Sequence, residues 1–486
     1  MTPVERVLPR DRVVDLADYQ ARGGGRGLAA ARRLGPAAII EELEAAGLRG
    51  RGGAGFPTGT KWRTVAAYAS STVASTVVVN GAEGEPGSFK DREILRRTPY
   101  AVLEGALIAA LAVGADRAVI ALKSGFDVEK ERLETAIVEI GAAGWTDEVN
   151  VGVMTGPAEY LFGEETALLE VLDGRPPFPR IAPPFRHGLD EVGPHADHAG
   201  GTVMADEGRS EAPPTLVNNV ETIANVAAIL DRGPQWFREM GTVDSPGTLV
   251  CTVSGAAANH GVAEFAMGTS LRAVIDAIAG APADGRRWVA AMSGVANALV
   301  PAQQFDTPLT YEAMRAIGSG LGAAGFILFD DRSDLREVAA EVSRFLAVES
   351  CGQCSPCKAD GLAIAAHLDR LCGPDGDPTD LEAIDERLLT ITDSARCALA
   401  AQHQVVVGGF LRLFPADFST LDARAPRFEA EPFIAPITDL VDGRAVLDLA
   451  SMRKQPDWSH DAVGSGKTPV DRLAGPDRGR PQEFDD

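Results

Sequence analysis

The chain has 486 residues, 45% hydrophobic and 24% charged, enough for two to four domains with sizeable cores. Its net charge of −23, from 69 acidic against 46 basic residues, argues against nucleic acid or an anionic membrane surface as the main partner. No stretch approaches the roughly 18 apolar residues of a membrane span. Residues 1–16 alternate apolar and charged side chains without a signal-peptide core, so a soluble, cytoplasmic protein with no direct membrane insertion is expected.

The first strong element is "GPAAIIEELEAAG" (35–47). Pro36 opens a helix, Ile39, Ile40, Leu43 and Ala46 share one side, and Gly47 caps it. "GLRGRGGAGFPTGTKW" (47–62) follows. Gly50, Gly52 and Gly55 satisfy GxGxxG, but a helix precedes them where a dinucleotide-binding fingerprint needs a strand. What remains is a glycine loop with Arg49, Arg51 and Lys61. It can bring backbone N–H groups and cations close to an anion or a flat ring, or it is simply a solvated loop.

Strands at 75–80, 117–122 and 149–154 alternate with helices that start near Pro99, run from about Asp127 to Ile140, and end at Gly174. This order implies a parallel sheet covered by helices. Ligands of such sheets lie beyond the strands' carboxyl ends. Two acid-rich loops sit there, "NGAEGEPGSFKDRE" (80–93) and "TGPAEYLFGEET" (155–166). Residues from about 245 to 330 suggest short strands and a helix, and 333 to about 415 suggest helices around a cysteine loop. From about Arg424 the chain reads as a tail rich in Pro, Asp and Arg. "GSGKT" (464–468) mimics a phosphate-binding loop, but Asp461 stands where that motif needs glycine and no strand precedes it.

Three of only six cysteines, Cys351, Cys354 and Cys357, fall in "ESCGQCSPCKAD". A redox CxxC usually sits at a strand end. Here an amphipathic helix precedes the motif, with Leu335, Val338, Ala339, Val342, Phe345 and Leu346 at helical spacing. Three thiolates from one short loop plus a remote fourth suit a 4Fe–4S cluster, with zinc as the competitor. Cys372 and Cys397 are the available fourth ligands.

The glycine loop, "NGAEGEPGSFKDRE", "YLFGEETALLE", "PTLVNNVETIANV", "ESCGQCSPC" and the later "CAL" occur in this order. Together they resemble the NADH-binding flavoprotein subunit of respiratory complex I and the homologous diaphorase subunits of NAD-linked hydrogenases and formate dehydrogenases, from about residue 25 to about residue 415. The resemblance implies an α/β fold: a Rossmann-like FMN- and NADH-binding domain (1–242), a small ubiquitin-like β-grasp domain (243–332), a helical 4Fe–4S domain (333–423) and a tail (424–486). It implies hydride transfer from NADH to FMN, then single electrons to a 4Fe–4S cluster and on to partners, a small thioredoxin-like 2Fe–2S subunit and a larger iron–sulfur subunit. By the same resemblance Gly50, Arg51, Gly52, Gly53, Lys61, Asn80, Glu83, Gly163 and Glu164 match flavin contacts. Asn218, Asn219 and Thr222 match the FMN phosphate region. Phe56, Glu85, Glu165 and Phe185 match the nucleotide pocket, with Glu85 and Glu165 the expected catalytic residues, and Cys351, Cys354, Cys357 and Cys397 match the cluster ligands. Cys251 and Cys372 are left as bystanders.

The chain departs from the family pattern in places. Ala82 replaces an aspartate and Ala182 a lysine, and 186–212 is an extra segment carrying His187, His195 and His198 that reads as a solvated loop. Arg186 is the candidate to replace the cation missing at Ala182. Two other functions are weighed: an electron-transfer flavoprotein of the same fold that does not use NADH, and a zinc-binding scaffold.

Overall fold

Three consecutive valines make β1 (Ser75–Asn80) a strand that must be buried on both faces, and Val77, Val78 and Val79 are fully shielded. In the computed structural model, which describes residues 2–69, 74–189, 214–419, 433–460 and 464–474, β1 lies inside a four-stranded sheet. Its neighbours are β2 (Ala115–Lys123), β3 (Asn150–Gly156) and β4 (Thr215–Asn219), in the order β3–β2–β1–β4, every pairing parallel. The helices Pro99–Val113 and Asp127–Ala142 form the crossovers. The first is apolar around almost its whole circumference and is buried accordingly.

The chain winds from β1 to β3 in one direction and returns to place β4 on the other side of β1. That reversal creates a crevice at the carboxyl ends of β1 and β4, where Asn80 and Asn219 are paired in register. β4 belongs to "PTLVNNVETIANV", a stretch whose short apolar run gives little strand signal by itself. The helix Thr58–Ala67 after the glycine loop also goes beyond the sequence reading.

A second, mixed sheet has its own core. β5 (Thr248–Gly255), β6 (Gly261–Ala266), β7 (Trp288–Ser293), β8 (Val300–Pro301) and β9 (Gly325–Asp330) lie in the order β6–β5–β9–β7–β8, with only β5 and β9 parallel. The helices Leu335–Glu349, Ser355–Cys372, Pro378–Thr390 and Leu399–Leu413 pack on one another beyond it. The expected tail contains a hairpin, β10 (Ile437–Val441) with β11 (Arg444–Leu447), that packs back on the rest of the chain. "GSGKT" leads into a short helix, Pro469–Ala474, with Thr468 bonded to Asp471. Residues 190–212 of the inserted segment, including His195 and His198, lie outside the described residues.

The helix Val220–Ala224, which continues from β4, fits against Pro99–Val113 only because Gly105 has no side chain. A Cβ there would stand 2.2 Å from the Ile223 carbonyl oxygen. Overpacking of this kind costs about 1–3 kcal/mol. Gly105→Ala should therefore lower the midpoint of denaturant unfolding, and an unchanged midpoint would show that the two helices part easily.

Candidate active site and cysteine cavity

The glycine loop is pinned before it reaches the crevice. Gly50 N–H donates to the Phe56 carbonyl at 2.8 Å, and Tyr311 Oη donates to the Gly50 carbonyl at 2.7 Å. Arg51 N–H donates to Thr222 Oγ1 at 2.8 Å. The Arg51 guanidinium is buried and bonds the carbonyls of Pro246 and Thr248, so it fastens the loop to the second sheet. Arg49 pairs with Glu312 and lies 4.0 Å from the Tyr311 ring centroid. Held in this way, Gly52 and Gly53 form one wall of a cavity of about 450 Å³. A Cβ on Gly53, whose φ is +127°, would meet no heavy atom within 3.9 Å, so this backbone faces open space.

The opposite wall comes from the two acid loops. Asn80, Ala82, Glu83, Glu85, Gly163, Glu164 and Asn219 all line the cavity. Asn80 Nδ2 donates to the Gly163 carbonyl at 2.8 Å and ties the two loops together. Glu164 caps the helix Glu165–Leu172, accepting from the N–H groups of Thr166 and Ala167. Glu85 accepts from Tyr160 Oη at 2.5 Å and from Val295 N–H at 2.6 Å, while burial raises its pKa.

Behind the cavity, buried Lys90 pairs with Asp91 at 2.7 Å and Glu221 at 2.8 Å. Burial works against its charge, but Asp91, Glu221 and Glu83 outweigh it and raise its pKa. Asn219 joins this network through Asp91 at 2.6 Å. Burial, with the Asp91 carboxylate beside it, pushes Glu83 up to about 7.

The remaining expected residues stand outside the lining. Asn218 Oδ1 accepts from the Trp62 indole N–H, Thr222 holds Arg51, and Lys61 pairs with Glu165. Phe56 is 54% exposed, and Phe185 packs on Tyr68 with centroids 5.4 Å apart. Arg186 is exposed, its guanidinium carbon 5.9 Å from the Phe185 ring centroid; neither it nor Ala182 lines the cavity, which Ala82 does. Ser88, Asp91, Tyr160, Asn297 and Gln402 also line it. Asp91 and Tyr160 sit inside the quoted motifs and could have been read there. Asn297 and Gln402 come from distant elements without any local signal.

The helix Ser355–Cys372 starts within the cysteine loop, with Pro356 in its first turn. Cys357 is therefore helical, Cys354 is the N-cap and Cys351 precedes it. Cys397 comes from the turn before Leu399–Leu413, and all four cysteines line one cavity with Leu161, Pro179, Leu399 and Ala400. Cys372, the last residue of its helix, and Cys251, in β5, do not line it. Buried Lys358 donates to the carbonyls of Ala347, Val348 and Ser350 at 2.8–3.0 Å and fixes the loop's entry. Gln353 Nε2 reaches Cys351 Sγ at 3.4 Å, and Ser350 Oγ lies 3.4 Å from Cys357 Sγ. Burial pushes the thiols up, Cys357 to about 11 and Cys397 to about 12, so an electropositive group is needed to hold them as thiolates.

Among the described residues no three His, Cys, Asp or Glu side chains are gathered to hold a single metal ion. The four cysteines border one cavity, three of them from one short loop and the fourth from a remote turn, a ligand set that suits a 4Fe–4S cluster. The larger cavity likewise suits a flavin, with an open glycine wall and polar groups opposite. Leu161, Cys397 and Leu399 border both cavities.

The Glu83 carboxyl holds its proton more tightly in the folded than in the unfolded chain. Its contribution to stability is full below about pH 4.5 and is lost as pH rises through about 7. Glu83→Gln should flatten unfolding free energy against pH across that window, and an unaltered profile would contradict the assignment.

Two family models match in order: the Nuo51 FMN-binding domain over residues 43–228, and the NADH-ubiquinone oxidoreductase-F iron-sulfur binding region over 337–421. One relative, the F 2 subunit of NADH-quinone oxidoreductase from Rhizobium meliloti (strain 1021), is 35% identical over 418 residues, covering 83% of this chain and 93% of its own. Another, the F subunit of NADH-quinone oxidoreductase from Rhodobacter capsulatus, is 35% identical over 408 residues, covering 82% and 90%. The crystal structure of an NAD+-reducing NiFe-hydrogenase in the H2-reduced state superposes with a TM-score of 0.72 at 31% identity, over 87% of this chain and 68% of that one. With an FMN-binding region and a 4Fe–4S region in sequence, and relatives matched over nearly their whole length, the chain belongs to the family of NADH-quinone oxidoreductase F subunits.

Proposed function

We propose that this chain is the NADH-oxidising, electron-entry subunit of a multisubunit redox complex. FMN held at the larger cavity would supply hydride acceptance and one-electron release, and a 4Fe–4S cluster held by the four cysteines would supply single-electron transfer. The observation that carries the reading is the shared wall, since Leu161, Cys397 and Leu399 border both the flavin-sized cavity and the cysteine cavity.

The chain's own residues divide the work. Gly52 and Gly53 line the cavity, Gly53 lets a flat ring approach the backbone while Gly52 packs close to Asn219, and Gly50 and Arg51 hold that loop in place. Asn80, Glu83, Gly163, Glu164 and Asn219 face the flavin, with Asn218 and Thr222 behind them as supports. Glu85, at the cavity wall, orients the nucleotide. Lys61, Glu165 and the Phe56 ring are partly exposed and accessible to a nucleotide that extends out of the cavity, and Phe185 supports Tyr68 nearby. Cys351, Cys354, Cys357 and Cys397 hold the cluster.

In the same reading the mixed sheet is a ubiquitin-like β-grasp module within 243–332, flanked by the FMN/NADH domain (1–242) and a helical cluster domain (333–423). Electrons leave to a small thioredoxin-like 2Fe–2S subunit and a larger iron–sulfur subunit. No helix of the described residues is long and apolar enough to cross a membrane. A cytoplasmic site, peripheral to a membrane through partners, fits this reading.

Anaerobic addition of NADH to the FMN-loaded protein should bleach the flavin absorbance. Full FMN content with no bleaching would favour a flavoprotein that does not use NADH. Cys397→Ala should lose cluster iron while Cys372→Ala keeps it, as measured by iron and acid-labile sulfide content. Equal retention in both variants would sink the ligand assignment.

A further inference from the structure

The stretch 433–474 lies beyond both matched family regions, yet it touches every part of the fold. Glu341 accepts from the N–H groups of Phe433 and Ile434 at 3.1 Å. Asp439 pairs with Arg96 of the first domain at 2.6 Å, and Gly443 accepts from His260 N–H beside the second sheet at 2.6 Å. Trp458 packs on Phe178, with ring centroids 6.0 Å apart. At the centre of this strap one lysine is directed inward.

We infer that Lys454 is a positioning residue for the nucleotide end of the cavity, acting through Glu349 and Tyr160 on Glu85. Lys454 Nζ donates to Glu349 Oε1 at 2.8 Å, and the two side chains are 5% and 4% exposed. The other oxygen of Glu349 accepts from Tyr160 N–H at 2.8 Å, and Tyr160 Oη donates to Glu85 at 2.5 Å. Both Tyr160 and Glu85 line the cavity. Glu349 also ends the helix that leads into Ser350 and Cys351, so it stands where the nucleotide wall meets the cysteine loop.

Lys454 fixes one oxygen of the buried Glu349 carboxylate and so aims the other at the Tyr160 N–H, a charge-assisted hydrogen bond. Tyr160 opens the turn Tyr160–Gly163, which delivers Leu161 and Gly163 to the cavity wall. Without Lys454, Glu349 loses the partner that fixes its orientation towards Tyr160. That loosens the turn and weakens the hold of Tyr160 on Glu85.

The inference rests on the NADH reading, so its test has an arm that does not. The full-length protein, loaded with FMN and iron, is compared as wild type, Lys454→Met and Lys454→Arg. Two measurements are made: NADH:ferricyanide kinetics, and hydrogen exchange of residues 158–164. Losing one charge-assisted hydrogen bond should raise the KM for NADH about tenfold in Lys454→Met, with a smaller effect on kcat. Exchange at 158–164 should be faster, FMN and iron content unchanged, and Lys454→Arg close to wild type. Wild-type KM and exchange in Lys454→Met would overturn the inference, as would equal impairment in Lys454→Arg. If Lys454→Met does not retain FMN and iron, Glu349→Gln combined with Lys454→Met removes both charges of the buried pair and is read by the same two outcomes. A wild type that does not oxidise NADH would fail the functional reading alone, and the exchange arm would still decide the chain of contacts.

Discussion

Everything at the site depends on the parallel pairing of β1 with β4. The reversal of winding direction across that pair opens the crevice, and its register sets Asn80 beside Asn219. The acid loop leaves from the end of β1, and the Val220–Ala224 helix leaves from the end of β4. The glycine loop then closes over the crevice because Thr222, on that helix, holds the Arg51 backbone. Slipping β4 by one residue against β1 would turn Asn219 to the face opposite Asn80 and break the cavity wall.

A second constraint is the burial of charge without excess. Lys90 is surrounded by Asp91, Glu221 and Glu83, and it can remain buried only because these carboxylates offset its desolvation. Arg51 stands 4.0 Å from Glu221 as a second buried base, and Glu83, raised by burial and by Asp91 beside it, holds a proton near neutrality. The pocket beside them is thus bounded by a neutral or weakly charged acid. At the cysteine loop the logic is reversed, because burial outweighs the Lys358 ammonium and holds the thiols protonated, so they need the iron of a cluster to ionise.

Much of this was legible in the sequence where one local rule governs. The strand "STVVVN", the helix opened by Pro36 and capped by Gly47, and the helix before the cysteine loop all carry strong short-range signals, and all formed. The rejection of a dinucleotide fingerprint at Gly50, Gly52 and Gly55 rested on the helix before them, and that helix is present. The choice of Cys397 over Cys372 came only through family resemblance, and the geometry puts Cys397 in the cavity. What could not be read was tertiary. Nothing local says that the Arg51 guanidinium turns away to bond the Pro246 and Thr248 carbonyls, that Asn297 and Gln402 reach the cavity, or that the Pro-rich C-terminal stretch sends Lys454 into the interior. Each depends on contacts between residues far apart in the chain.

Leu161, Cys397 and Leu399 form the wall shared by the flavin-sized cavity and the cysteine cavity, so hydride chemistry and single-electron flow meet across it. Rapid-freeze electron paramagnetic resonance tests this most directly, on the isolated chain loaded with FMN and iron and mixed anaerobically with NADH. The account predicts a reduced 4Fe–4S signal that grows in step with flavin bleaching and is absent from Cys397→Ala. Complete flavin reduction with the cluster left oxidised, in protein whose cluster dithionite can reduce, would contradict it.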